Sequence, residues 1–175
     1  MSILDTVFEL IDLRSFSNLW FWIALAVTWS TASHWVLGVP WDMAMRARRS
    51  QGATAMADFE DMVRINTGRL LYVAEQSGTL ITGLATFILS SLAILGFGYD
   101  NEFAQALFLL GFPLTGVGIL SLRTAQRIRA EAPEGEALIA RISRHRLAVQ
   151  AIGMVSIFVT AMWGMYQNMA IGPLG

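Results

Sequence analysis

The sequence predicts an all-α, polytopic integral membrane protein, and three observations carry that prediction. The 175 residues are 55% hydrophobic and 14% charged, with a mean hydropathy of +0.53, well away from an ordinary soluble domain. Four stretches, Ser15–Trp41, Gln76–Tyr99, Phe103–Leu122 and Leu147–Gly175, contain no Asp, Glu or Arg, and each can supply the roughly 20 apolar residues of a bilayer-crossing helix. The basic residues are all arginine, and every one except Arg14 lies between the first and second stretches or between the third and fourth. A closed β-barrel would show short alternating segments, whereas LITGLATFILSSLAILGF and AQALFLLGFPLTGVGIL are continuous apolar runs. Little chain is left for a separate soluble unit, so residues 1–175 read as one transmembrane domain.

Taken in order, Ile3, Leu4, Val7, Phe8 and Ile11 recur at helical spacing with Asp5, Glu9 and Asp12 opposite, which predicts an amphipathic helix over 1–14 on the outer surface. MSILDTVFELID carries acids where a secretory signal carries Lys or Arg, so the first span, about 17–39, is expected to be retained. Gly38 and Pro40 should end it, followed by the basic connector MAMRARRSQG. From Ala53 the apolar Met56, Phe59, Met62 and Val63 keep helical period towards Tyr72. The second span, 76–99, should therefore extend about 30 Å beyond the membrane at ~1.5 Å per residue. The third span covers 103–122, with a kink expected at Pro113. RTAQRIRAEAPEGEALIARISRHR reads as two helical arms joined at APEG, with Glu134 and Glu136 favourable beside the positive end of the second. The fourth span covers 147–169.

Arginine placement sets the orientation. The connectors 41–72 and 123–146 are expected in the cytoplasm and both termini on the other side. Arg46, Arg48, Arg49, Arg127, Arg129, Arg141, Arg144 and Arg146 then become candidates for contact with lipid headgroups or partners. Helices in lipid gain little from hydrophobic burial against each other, so small residues at four-residue spacing mark expected packing faces. These are Gly78, Thr82, Thr86 and Ser90 on span two, Ser156, Thr160 and Gly164 on span four, and Ala24, Thr28 and Ala32 on span one.

Catalytic signals are sparse. There is no cysteine, no phosphate-cradling glycine loop, no HExxH and no hydroxyl nucleophile with a recognisable base, so no catalytic or metal residue is assigned. A net charge of −1 gives no electrostatic footprint for nucleic acid. The one candidate site is an intramembrane polar cluster near the cytoplasmic side: Ser30, His34, Glu75, Gln76, Ser121 and Gln150. A buried His34–Glu75 pair is expected there, because bare ionisable groups in hydrocarbon cost several kcal/mol. Such a pair could lock helices together or serve a proton or cation path. Haem held by His34 and His145 requires both at one depth, and His145 lies about a turn nearer water, which argues against haem; no cofactor is expected.

FELIDLRSFSNLWFWIALAVTWSTASHWVLGVPWDM, VRINTGRLLY, EFAQALF and MVSIFVTAMWGMYQN resemble a group of small four-span bacterial inner-membrane proteins often labelled "component of SufBCD complex". The resemblance runs along most of the chain and implies a bacterial inner-membrane location and a link to iron–sulfur cluster assembly. Together, the patterned extramembrane segments and sparse interior predict a non-catalytic scaffold, accessory or assembly subunit. Its expected partners are membrane lipids and other membrane subunits or itself. The alternative is a homo-oligomeric channel or small ion-linked transporter using the polar cluster.

Overall fold

The computed structural model describes residues 15–49 and 53–170. The amphipathic helix predicted over 1–14 lies outside the described residues. A single 3-10 turn, Ser15–Ser17, leads into α1 (Leu19–His34), whose first turn is capped by Asn18 Oδ1 accepting from Trp20 N at 3.0 Å.

The first apolar stretch does not stay helical to Gly38. Leu37 and Gly38 take successive positive φ values of 53° and 76°, the combination a type I′ reversal demands and one that glycine adopts without steric penalty. The chain therefore folds back as a two-stranded hairpin, β1 (Trp35–Val36) against β2 (Val39–Pro40), with Val36 opposite Val39. Both valines are buried in the core cluster that the hairpin joins, and that burial favours the reversal. This hairpin is the one departure from an all-α chain among the described residues. The basic connector is also structured, as α2 (Trp41–Arg49), which buries Ala44 and Ala47 one turn apart and directs its arginines outward.

The third helix, α3 (Ala53–Ala93), is 41 residues long, about 60 Å, and closes in a π-helical turn at Ile94–Gly98. Asn101 caps α4 (Glu102–Glu131) by accepting from Ala104 N at 2.9 Å. Pro113 lies inside α4 and cannot donate to the Leu109 carbonyl four residues back; Ser156 Oγ donates to it instead, at a long 3.5 Å. Ala132, in the left-handed region, ends α4, and α5 (Gly135–Ala170) begins three residues later. Glu60 of α3, rather than the neighbouring Glu134 or Glu136, reaches the start of α5, accepting from Gly135 N at 2.6 Å.

The long helices form a row, with α3 along α4, α4 along α5, and α5 along α1. Three of them, Thr54–Gly98, Glu102–Glu131 and Gly135–Met169, are long and apolar enough to cross a membrane. The packed core lies at the arginine-rich end. There Val36, Val39, Ala44, Ala47, Phe59, Val63, Ile128, Leu138, Ile139 and Ile142 bring the hairpin, α2 and the ends of α3, α4 and α5 into one cluster.

Packing along the apolar lengths differs from the expected small-residue ridges in two places. On α5 the ridge is used: Ser156, Thr160 and Gly164 are buried, and Gly164 lies under Phe16 and Trp22. On α3, Thr82, Thr86 and Ser90 are exposed and Gly78 has open space where a side chain would be. The reason is the row itself, which gives an end helix only one long neighbour. On α1, Ala24 is exposed, and the large residues Leu25 and Trp29 are buried instead of a small ridge. Trp29 is accommodated by Gly153 of α5, where a Cβ would sit 2.7 Å from the indole.

Candidate functional site

The predicted His34–Glu75 pair does not form. Because α1 ends at His34, that residue stands at the hairpin and faces Asp42, with Nε2 4.0 Å from Oδ1 and both side chains more than half exposed. Glu75 accepts instead from Arg129 Nη1 at 2.7 Å, joining α3 to α4. Ser30 is exposed, and its carbonyl accepts from Ser33 Oγ. Gln76 is exposed beside Glu75 on a shallow part of α3, and Gln150 is half-buried on α5. A row of helices has no central axis, so residues at one depth need not share a neighbour. The common level predicted for these groups does not bring them together.

One member of the set, Ser121, belongs to a different arrangement. His145 is buried between α4 and α5, with Nδ1 3.0 Å from Thr124 Oγ1 and Nε2 3.4 Å from Ser121 Oγ. Thr124 Oγ1 is also 2.9 Å from the Leu120 carbonyl. A hydroxyl has one proton, and once Leu120 takes it Thr124 can only accept from the ring, so Nδ1 carries the imidazole hydrogen and Nε2 accepts from Ser121. Both ring nitrogens are satisfied in this arrangement, and burial pushes the histidine's pKa below the ordinary 6.5, which favours the neutral form. Ser121 and His145 each lie 12 residues from Pro133, so the arms of a helical hairpin turning there place them at one level. Equal distance from the turn was the sequence signal for this contact. His34 and His145 thus have separate partners, and the structure does not present them as an axial pair. Among the described residues no group of three or more His, Asp or Glu is placed to hold a metal.

Most of the predicted contact arginines are engaged within the chain. Arg46 pairs with Asp42, Arg48 with Glu136, Arg129 with Glu75 and Arg141 with Glu131. Arg146 Nε donates to the Ser33 carbonyl at 3.0 Å while its guanidinium stacks 4.7 Å from the centre of the Trp41 ring, tying α5 to the end of α1 and the start of α2. Arg49 lines a shallow depression with His34 and Asp42. Arg127 and Arg144, which have no carboxylate partner among the described residues, line a cleft of about 330 Å³ between α4 and α5, together with Arg141 and His145.

At the opposite end, Gln105 is almost wholly buried and joins three segments. Its Nε2 donates to the Gly96 carbonyl at 2.8 Å, and its Oε1 accepts from Trp163 Nε1 at 2.9 Å and Gln167 Nε2 at 2.6 Å. Nearby, Glu102 accepts from Phe16 N at 2.6 Å, and Ser17 Oγ is 2.9 Å from Asn168 Oδ1. Both ends of the row therefore carry polar ties, while the middle is held by apolar and small-residue contact. No protein-family model, curated protein or solved structure matches the chain. Its class rests on its own features: an all-helical protein with three helices able to cross a membrane.

Proposed function

We propose that the protein is a non-catalytic scaffold, accessory or assembly subunit of a bacterial inner-membrane complex, crossing the bilayer four times. In this reading the arginine-rich core faces the cytoplasm, both termini face away from it, and α1 supplies the fourth crossing. Its 16 helical residues reach about 24 Å, and the Ser15–Ser17 turn and the hairpin fill the rest of the ~30 Å hydrocarbon layer. Outward-facing Leu19, Trp20 and Val27 are suited to lipid.

The observation that carries the proposal is the contrast between the arginine-rich end and the α3 edge of the apolar layer. The arginine-rich end is a packed helical platform, whereas α3 runs into the apolar layer at the edge of the row with Leu80, Leu84 and Phe87 exposed and its Thr82, Thr86 and Ser90 ridge uncovered. Small and hydroxyl-bearing residues permit close helix approach in lipid, so this edge suits a transmembrane helix of another subunit. The resemblance to small membrane proteins labelled as complex components agrees with an accessory role. The pairing of His34 with Asp42 and of Glu75 with Arg129 favours this reading over a polar path built on a His34–Glu75 pair.

The chain has no cysteine, so single cysteines at Thr82 and Phe87 can be cross-linked in native membranes before purification in mild detergent. Stoichiometric foreign subunits joined through residue 82 are the expected result. A symmetric homo-oligomer with ion flux in vesicles would replace the proposal with the channel reading, and an uncross-linked monomer would remove it.

A further inference from the structure

Below the cleft containing Arg127 and Arg144, a second cavity lies on the same side of the α4–α5 pair. On α5 one stripe runs through Arg141, His145, Ala148, Ile152, Val155 and Val159, at the three- and four-residue steps of a single helix face. On α4 the matching stripe descends from Glu131 through Arg127, Thr124 and Leu120 to Pro113 and Leu109. The upper residues line the basic cleft of about 330 Å³, and the lower ones line an apolar cleft of about 450 Å³. Ala148 closes the first and Ile152, one turn on, opens the second, so the two lie about 6 Å apart along α5. Gly116, on the α4 stripe between them, contributes no side chain at the join and has open space around it.

The charge balance of the upper cleft is positive. Glu131 is occupied by Arg141, and among the described residues the buried Nε of Arg141 has no acceptor and Arg127 and Arg144 have no carboxylate partner. The cleft sits where the arginine-bearing arms give way to the charge-free lengths of α4 and α5, the level of lipid headgroups for helices that cross a bilayer. Basic pockets between membrane helices at that level suit phosphate-bearing headgroups.

We propose that this groove is a binding site for one anionic phospholipid, its phosphate against Arg127 and Arg144 and one acyl chain in the cleft lined by Phe112, Ile152 and Val155. The site rests on α4 and α5 crossing the membrane and is independent of the scaffold reading, so either can fail alone.

The test uses the full chain, delipidated in detergent and titrated with dioleoyl-phosphatidylglycerol or dioleoyl-phosphatidylcholine, with occupancy read by native mass spectrometry. One phosphatidylglycerol should be retained per chain, in clear preference to phosphatidylcholine. Each arginine near an anionic headgroup is worth about fivefold, so the R127Q/R144Q double variant should lower phosphatidylglycerol affinity roughly 30-fold. Both positions are solvent-facing, and thermal melts of the variant should match wild type. Val155→Trp, which fills the apolar cleft, should weaken phosphatidylglycerol with the arginines intact, and R46Q/R49Q, at the separate basic surface, should leave the preference unchanged. Equal affinity for the two lipids overturns the site, as does an R46Q/R49Q effect equal to that of R127Q/R144Q. Displacement of bound lipid by inorganic phosphate alone would assign the cleft to a soluble anion instead.

Discussion

Replacing Gln105 with leucine keeps the size of the side chain and strips three hydrogen bonds from one buried point. Trp163 Nε1, Gln167 Nε2 and the Gly96 carbonyl each lose a partner at 2.6 to 2.9 Å. Side-chain hydrogen bonds between membrane helices average about 0.6 kcal/mol and reach about 1.7, so three give roughly 2 to 5 kcal/mol. Gln167 is only half-buried and can turn to water, which places the expected loss near 2 kcal/mol, roughly 30-fold in the unfolding equilibrium. Reversible unfolding in mixed micelles with a denaturing detergent, followed by tryptophan fluorescence, measures it. Trp163→Phe alone should remove about 0.6 kcal/mol by losing one bond. In the Gln105→Leu background that bond is already gone, so the same change should cost correspondingly less. Stability of Gln105→Leu within ~0.5 kcal/mol of wild type, or strict additivity of the two changes, would refute the claim that this residue ties α4, α5 and the π turn together.

The same unfolding assay checks three further expectations. Gly153→Ala places a methyl group 2.7 Å from the Trp29 indole and should destabilise by about 1–3 kcal/mol, whereas Gly83→Ala, with nothing within 4 Å, should be neutral or stabilising by up to ~1 kcal/mol. Arg146→Lys keeps the charge but loses both the Nε bond to Ser33 and the planar stack on Trp41, and should lower stability by about 1–2 kcal/mol. Because burial lowers the pKa of His145, the unfolded chain takes up a proton at higher pH than the folded one. The histidine's contribution is complete above pH 6.5, declines as pH falls through 6.5, and stops declining below the folded pKa; His145→Gln should flatten that stretch of the profile.

Much of the architecture was legible because it follows from local composition. The charge-free runs around Leu84, Leu109 and Phe158 announce long apolar helices, and Met56, Phe59 and Val63 carry the extension of α3 at helical period. The APEG break coincides with the left-handed Ala132 and the restart at Gly135. The hairpin at Trp35–Pro40 was harder to see. It is embedded in an apolar stretch, and the signal that distinguishes it, Leu37-Gly38 at positive φ, is a backbone state that needs Val36 and Val39 to have a core to enter. The site was less legible still. His34, Glu75 and Gln150 share a depth in the sequence, which brings them together only in a closed bundle, while Gln105 gives no periodic signal because its burial depends on α5 and the π turn.

The order of residues by itself determined that this chain is helical, that it holds charge-free apolar stretches long enough for a bilayer, and that its arginines other than Arg14 lie in two connectors. Those are properties of hydropathy and charge, which act on each segment whatever its neighbours do. Only the tertiary structure decided that the helices stand in a row, that Glu75 answers Arg129 rather than His34, that His145 is a buried link between α4 and α5, and that Arg127 and Arg144 face a cleft one helical turn from an apolar one. Side-by-side packing in lipid has little hydrophobic gain to direct it, so neighbours are chosen by close fit and a few polar ties, such as Gly153 under Trp29 or Ser156 at the carbonyl freed by Pro113. Those depend on three-dimensional proximity, which no single segment encodes.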